Sequence, residues 1–103
     1  LPSEDIAQKA HQALTDHGVD GCFYWYNNNW HYYKKWEHLT EMKSLGNLPK
    51  DVKESLPDYS KADFSESDKW MSRNISCLIK LGWSEEEVTV SANKMVEAIK
   101  ASL

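Results

Sequence analysis

The sequence lacks the features that mark several common functional classes. Its 103 residues contain no run of 18 apolar residues and no signal-peptide pattern, so neither membrane insertion nor secretion is expected. A net charge of −4 leaves no basic stripe to neutralise phosphates, which argues against a nucleic-acid partner. Phosphate-binding glycine loops, GxGxxG and HExxH are missing as well. We therefore predict one globular domain in the cytoplasm, with no membrane partner.

Cysteine is scarce, which limits both disulfides and metal sites. Cys22 and Cys77 lie 55 residues apart, each within an apolar run, and this placement predicts two buried, reduced thiols. His31 and His38 have no CxxC or HxxxH pair beside them, so no metal site is predicted. A Cys22–His31 nucleophile remains an alternative to an inert core cysteine, but no cationic residue lies near Cys22 in sequence. We assign no catalytic residue.

Aromatic residues, in contrast, are concentrated in one place. Eight of the 12 lie between Phe23 and Trp36, a stretch called here the aromatic segment. Residues 21–26 have the composition of a strand, an asparagine triplet interrupts it, and the residues from Trp30 onward have the pattern of a helix. Alternation along the strand would separate Tyr24 and Tyr26 from Phe23 and Trp25. The rings could stack on a sugar, or they could pack between sheet and helix, and the sequence leaves both interpretations open.

Helix signals are strongest at the two ends of the chain. Ser3 is a typical N-cap, and Gly18 can adopt the left-handed conformation that would fold Val19 back on Leu14. Ser84 and Glu87 have the spacing of a capping box that begins a final helix. The apolar face predicted for that helix comprises Val88, Ala92, Met95, Val96, Ile99 and Leu103.

The middle of the chain is less regular. Residues 44–63 are polar and interrupted by one glycine and two prolines, which is typical of a functional or mobile loop. A short helix is predicted from Ser65 and a second strand over residues 74–81. The order helix, strand, helix, loop, short helix, strand, helix predicts a two-layer α+β domain with helices packed on a small antiparallel sheet.

Arg73 is the only arginine and immediately precedes the second predicted strand. It could be a surface charge. At the mouth of a strand, however, its planar guanidinium is suited to bind a carboxylate or a phosphate. We therefore include Arg73 among the candidate ligand-binding residues.

The order and spacing of several short motifs resemble those of a known family. The motifs are His17-Gly18-Val19-Asp20-Gly21, Tyr24-Trp25-Tyr26 with a following histidine, Ser67-Asp68, Met71-Ser72-Arg73-Asn74-Ile75-Ser76, Ile79-Lys80-Leu81 and Trp83-Ser84-Glu85-Glu86-Glu87-Val88. Together they resemble the C-terminal small domain of the DegT/DnrJ/StrS sugar aminotransferases. The likeness covers nearly the whole sequence, and its weight lies in the order of the motifs.

The resemblance implies a pyridoxal-phosphate enzyme of the aspartate-aminotransferase fold. Residues 1–103 would be its C-terminal domain only, with the N-terminal catalytic domain absent. Because that absent domain would carry the cofactor lysine and most phosphate contacts, the chain alone would be inactive. The aromatic segment looks like that of the subgroup that aminates position 8 of a 3-deoxy-octulosonate sugar for lipopolysaccharide. The implied partners are a keto-sugar, an amino donor and a second subunit in a homodimer.

By position, the resemblance implies five residues on a loop that faces the substrate. These are Tyr24, Asn28, Asn29, Trp30 and His31. An octulosonate carries a carboxylate, which would suit Arg73 as a clamp. The alternative function is a free-standing carbohydrate- or protein-binding module that uses the same aromatic rim without an enzymatic parent.

Overall fold

The computed structural model describes residues 1–28 and 30–103. Its helices are α1 (Glu4–Asp16), α2 (Glu37–Thr40), α3 (Lys50–Ser55), α4 (Ser65–Met71) and α5 (Glu85–Ser102), and its strands are β1 (Cys22–Phe23) and β2 (Ser76–Cys77). Short 3₁₀ turns lie at Trp25–Asn27, Tyr33–Lys35 and Tyr59–Lys61. The strands pair antiparallel, with Cys22 opposite Cys77 and Phe23 opposite Ser76. The predicted α+β class with a small antiparallel sheet is confirmed.

Helix α1 begins and ends where the sequence predicts. The Ser3 hydroxyl accepts a hydrogen bond from a backbone N–H of the first turn at 3.3 Å. At the other end Gly18 has a φ of +65°, and its N–H donates to the Thr15 carbonyl at 2.9 Å. The Val19 N–H donates to the Leu14 carbonyl at 2.9 Å, which completes a Schellman motif. Val19 and Leu14 consequently share the same buried cluster.

Helix α5 has the predicted capping box. The Glu87 N–H donates to the Ser84 hydroxyl at 3.2 Å, and the Glu87 carboxylate accepts from the Ser84 N–H at 2.7 Å. That backbone bond, followed by the bond from the Ser84 hydroxyl, lowers the pKa of Glu87. Because a lowered carboxyl pKa reflects a better-stabilised carboxylate in the folded state, this contribution to stability is present at neutral pH and lost as acid protonates Glu87.

The face that α5 buries differs from the prediction. Its inward residues are Ser91, Met95, Ala98, Ile99 and Ser102, whereas Val88, Ala92, Val96 and Leu103 are exposed. Ala98 packs where α5 meets α1, whose own buried face contains Ala7 and Ala10. Small side chains allow two helix backbones to approach closely, and valines in these positions would hold the helices apart. Met95 and Ile99 of the predicted face are confirmed as inward, whereas its other four residues are exposed. Ranking residues by hydrophobicity therefore missed the small residues at the helix contact.

The two strands are shorter than predicted. Regular pairing covers Cys22–Phe23 within the predicted 21–26 and Ser76–Cys77 within the predicted 74–81. Beyond the paired residues, Ile79 and Leu81 are largely exposed. A ladder with two strands has no neighbour to extend it, so each strand continues as a turn or an irregular segment.

The helix predicted from Trp30 is also broken. In its place are the 3₁₀ turn Tyr33–Lys35 and the single turn of α2, which ends at Thr40. The predicted loop at 44–63 contains α3 and the turn Tyr59–Lys61. The short helix predicted from Ser65 is confirmed as α4.

The chain is extended for its length. Its radius of gyration is 18.8 Å, whereas a compact domain of this size has a radius of about 13 Å. Its accessible surface of 7860 Å² exceeds the roughly 6,000 Å² of a compact monomer of this mass. Every residue from 41 to 61, called here the excursion, is exposed. The excursion therefore adds surface without adding core.

Gly18→Ala tests the left-handed end of α1. Among the described residues an added Cβ would meet the Lys94 ammonium at 3.9 Å, so the cost arises from the backbone conformation. A non-glycine residue in that region costs about 1–2 kcal/mol, and the free energy of unfolding in urea should fall by that amount. Gly82→Ala is the matched control, because nothing in the described chain lies within 4 Å of its added Cβ. Equal losses of unfolding free energy in the two variants would contradict the assignment of a left-handed conformation to Gly18.

Candidate functional site

The aromatic segment separates into two rows of rings. In the outer row Phe23 and Trp25 stack with centroids 4.7 Å apart, and Trp25 lies 4.1 Å from the ring of His31. These three rings are partly or fully accessible to solvent. Because stacking covers the facing sides of Phe23 and Trp25, a planar or sugar ligand could stack only on the outer sides and edges of this row.

The inner row packs instead of facing solvent. It contains Tyr24, Tyr26 and Tyr32, with centroid separations of 6.1 and 5.0 Å. Tyr24 and Tyr32 are buried. The predicted separation of Tyr24 and Tyr26 from Phe23 and Trp25 is confirmed, although the regular strand ends at Phe23. The packing interpretation therefore holds for the inner row, and the interpretation of the rings as a sugar-binding surface stays a prediction for the outer row.

Tyr24 links β1 to the end of α4. Its hydroxyl donates a buried hydrogen bond of 2.7 Å to the Ser72 carbonyl. Burial, followed by the negative charge of Glu4, raises the pKa of Tyr24, and a hydrogen bond with Gln8 opposes the shift. The hydroxyl therefore stays protonated and serves as a donor. Through this hydrogen bond, Tyr24 holds the start of the aromatic segment against the end of α4.

A second link joins the aromatic segment to α4. The Lys34 ammonium lies 2.6 Å from the Asp68 carboxylate and donates to the Tyr26 hydroxyl at 3.2 Å. The other Asp68 oxygen and the Tyr32 hydroxyl are buried and have no hydrogen-bond partner among the described residues. Because buried polar atoms are usually paired, these two oxygens could each form a hydrogen bond with a ligand hydroxyl or a water molecule.

A groove of about 610 Å³ opens beside Tyr24 and is called here the Tyr24 groove. Its lining comprises His11, Thr15, Cys22, Phe23, Tyr24, Asn27 and Asn28. The His11 ring nitrogen Nε2 lies 3.3 Å from the Cys22 carbonyl, and the Asn28 side-chain oxygen accepts a hydrogen bond from the Trp30 N–H at 2.8 Å. The groove thus combines ring faces with amide, imidazole and hydroxyl groups, a mixture suited to a polyol.

The structure brings some of the predicted site residues together. Tyr24 and Asn28 line the Tyr24 groove. Trp30 lies two residues after Asn28 and is 76% exposed, and His31 is exposed beside Trp25; neither is among the described residues that line the groove. Asn29 lies outside the described residues.

Arg73 lines a different groove, of about 230 Å³, called here the Arg73 groove. Its Nε donates to the Lys69 carbonyl at 2.8 Å, and its guanidinium lies 5.0 Å from the ring of Trp70. A longer bond of 3.5 Å reaches the Pro2 carbonyl. These contacts hold the cation at the C-terminal end of α4, where a helix favours positive charge. The role of Arg73 as a carboxylate clamp stays a prediction.

Sequence reasoning missed His11 as part of the site. His11 lies one helical turn after the buried Ala7, on the side of α1 that faces β1, and its ring is 6.1 Å from the ring of Tyr24. The spacing of four from a buried alanine was the available signal, because residues at i and i+4 share a helix face.

The two cysteines lie side by side. Their Sγ atoms are 3.0 Å apart, Cys22 is half-buried and Cys77 is exposed. Both cysteines are free thiols, but the prediction that both are buried is wrong, because β2 is an open edge among the described residues and leaves Cys77 exposed. The antiparallel register places them opposite each other, although they are distant in sequence. Burial, then the hydrogen bond and charge of Cys77, raises the pKa of Cys22 to about 12. The Cys22 thiol is consequently protonated at neutral pH.

The comparison with known families supplies no assignment, since no family model matches this chain. In the described residues, no three potential metal-ligating side chains come together. No helix within that same part of the chain combines the length and apolar character that a membrane span requires.

Tyr24→Phe tests the link between β1 and α4. The variant leaves the buried Ser72 carbonyl without its donor, which should lower the free energy of unfolding by about 1–3 kcal/mol. Tyr26→Phe is the matched control, because the Tyr26 hydroxyl is an exposed acceptor and Lys34 would still form its ion pair with Asp68 in the variant. The free energy of unfolding should therefore change by no more than about 0.5 kcal/mol. Urea denaturation measures both, and a neutral Tyr24→Phe would refute the link.

Proposed function

We propose that this chain is the C-terminal small domain of a cytoplasmic, pyridoxal-phosphate-dependent aminotransferase of the DegT/DnrJ/StrS type. The parent enzyme would act on a keto-sugar of cell-surface polysaccharide or lipopolysaccharide biosynthesis, and this domain would shape the substrate side of its active site. The observation that carries the proposal is the uncovered surface of the chain, 7860 Å² against roughly 6,000 Å² for a compact monomer. A domain of a larger assembly would cover that surface with its neighbour.

The Tyr24 groove supports a sugar as the ligand. Asn28 offers donors and an acceptor, and the rings of Phe23, Tyr24 and His11 line the groove with it. Trp30 is exposed two residues further along the chain. Sugars are commonly held by this combination, because a pyranose ring has an apolar face and a polar edge. In the proposed enzyme these side chains bind and orient the keto-sugar.

The residues of this chain do not fit the binding site of the cofactor itself. Pyridoxal phosphate supplies an electron sink and is held through a lysine and a phosphate cradle. All the lysines of the chain are exposed, and none is among the described residues that line the Tyr24 groove. We therefore assign the cofactor to the N-terminal domain of the parent enzyme.

A homodimer is part of the proposal. Each of the two strands has one partner among the described residues, so the outer edge of each carries unpaired backbone groups. Leu78, Ile79 and Leu81 are exposed next to β2. Open strand edges and apolar surface together favour association with further protein.

The second candidate function is a free-standing carbohydrate- or protein-binding module. It is favoured by the solvent accessibility of the rings of Phe23, Trp25 and His31, which a ligand could reach without a second domain. Titration of the 103-residue chain with 3-deoxy-octulosonate, followed by tryptophan fluorescence, separates the two candidates. A substrate held between two domains should give no saturable change with this chain alone. Saturable binding that Trp30→Ala abolishes would favour the module and overturn the domain proposal.

Trp30→Ala in the parent aminotransferase tests the sugar contact. Loss of one stacking ring should raise the KM for the keto-sugar by about 2- to 10-fold, the equivalent of ~0.5–1.5 kcal/mol. Thermal stability should change little, because Trp30 is 76% exposed. Tyr59→Ala is the matched control, since Tyr59 is 40% exposed, lies in the excursion and lines neither the Tyr24 groove nor the Arg73 groove. An unchanged KM in Trp30→Ala, or the same rise in both variants, would contradict the proposal.

A further inference from the structure

We propose that Cys22 and Cys77 form a reversible cross-strand disulfide that closes the chain around the aromatic segment. The two residues are direct partners in the antiparallel pair, and their Sγ atoms are 3.0 Å apart. A covalent S–S bond measures about 2.05 Å, so bond formation requires an approach of about 1 Å. Rotation of the two side chains supplies such an approach without a change of register.

The backbone at this point suits a disulfide. The Leu78 N–H donates to the Gly21 carbonyl at 2.9 Å, so the backbone bond lies between the residues that precede Cys22 and follow Cys77. The adjacent pair, Cys22 and Cys77, is therefore of the non-hydrogen-bonded kind, whose Cα atoms lie about 4.5 Å apart. Disulfides span Cα separations of about 4.4–6.8 Å, so the strand pair already holds the cysteines within range.

The two thiols differ in accessibility, which fixes the order of the chemistry. The exposed Cys77 thiolate attacks one sulfur of glutathione disulfide and releases one glutathione thiolate, leaving a mixed disulfide. Cys22 then loses its proton, and its sulfur attacks Cys77 Sγ and releases the second glutathione. Two protein thiols are oxidised, one glutathione disulfide is reduced to two thiols, and the two protons go to the leaving thiolates. The high pKa of Cys22 makes the second step the slow one.

The bond would lie between the two grooves of the domain. Cys22 lines the Tyr24 groove and Cys77 lines the Arg73 groove. The sheet between them has two residue pairs, so an S–S bond would fix the two grooves relative to each other. It would also close a loop that contains the aromatic segment and the excursion, which restricts the unfolded chain. In a reducing compartment such a disulfide would form only transiently, while an oxidant is present, and its formation would mark the oxidised state of this domain.

Mass spectrometry of the 103-residue chain tests the disulfide. The chain is incubated with glutathione disulfide in mildly alkaline buffer, which favours the Cys22 thiolate, and is then treated with iodoacetamide. We expect a monomer that has lost the mass of two hydrogens, carries no alkyl group, and yields a linked Cys22–Cys77 peptide pair. Alkylation of both cysteines, glutathione retained on Cys77 alone, or linkage only between chains would overturn the proposal.

Single serine variants and thermal unfolding provide independent readouts. Cys22→Ser should accumulate one glutathione on Cys77, whereas Cys77→Ser should remain largely unmodified because its remaining thiol is half-buried. Oxidation should raise the Tm of the wild-type chain by on the order of 10 °C, since the closed loop is long. The double variant Cys22→Ser/Cys77→Ser should show no rise. An equal rise in the double variant would assign the effect to the reagent and overturn this part of the proposal.

Discussion

Small side chains bring α1 and α5 together, and the rest of the ordered structure is attached to this helix pair. Leu14 of α1 and Ala98 of α5 share one buried cluster, and Ala7 and Ala10 on α1 lack solvent exposure as Ala98 does. The Schellman turn after α1 directs Val19 into the same cluster, and β1 begins three residues later. A larger residue at the helix contact would displace the strand that leads into the aromatic segment.

The candidate site depends on this arrangement through two polar links. The Tyr24 hydroxyl fixes the end of β1 to Ser72, and the ion pair of Lys34 with Asp68 fixes the following turn to α4. The inner tyrosines are thereby committed to packing, and the outer row remains available to a ligand. The excursion makes no comparable link to the buried cluster, since all its residues are exposed.

Local signals in the sequence predicted local structure correctly. The caps of α1 and α5 depend on side chains within a few residues of each helix end, so Ser3, Gly18 and Ser84 were sufficient to locate them. The strand lengths and the buried face of α5 depend on what packs against them, which periodicity does not contain. The meeting of Cys22 with Cys77 depends on strand register and was missed for the same reason.

The site shows the same division between local and long-range information. The aromatic segment was evident from composition, and its two rows followed from alternation along the chain. The contribution of His11 to the groove required the position of α1 relative to β1. The separation of Arg73 from the Tyr24 groove required the path of the chain after α4.

Amide hydrogen exchange of the native chain, resolved by residue, tests most directly whether the α1–α5 pair is the stable core of an extended chain. Protection reflects the free energy of opening each region. The backbone amides in the interiors of α1 and α5 should exchange slowest and at similar rates, and those of residues 41–61 should exchange close to the rate of an unfolded peptide. Protection of the excursion equal to that of α1 would contradict the account.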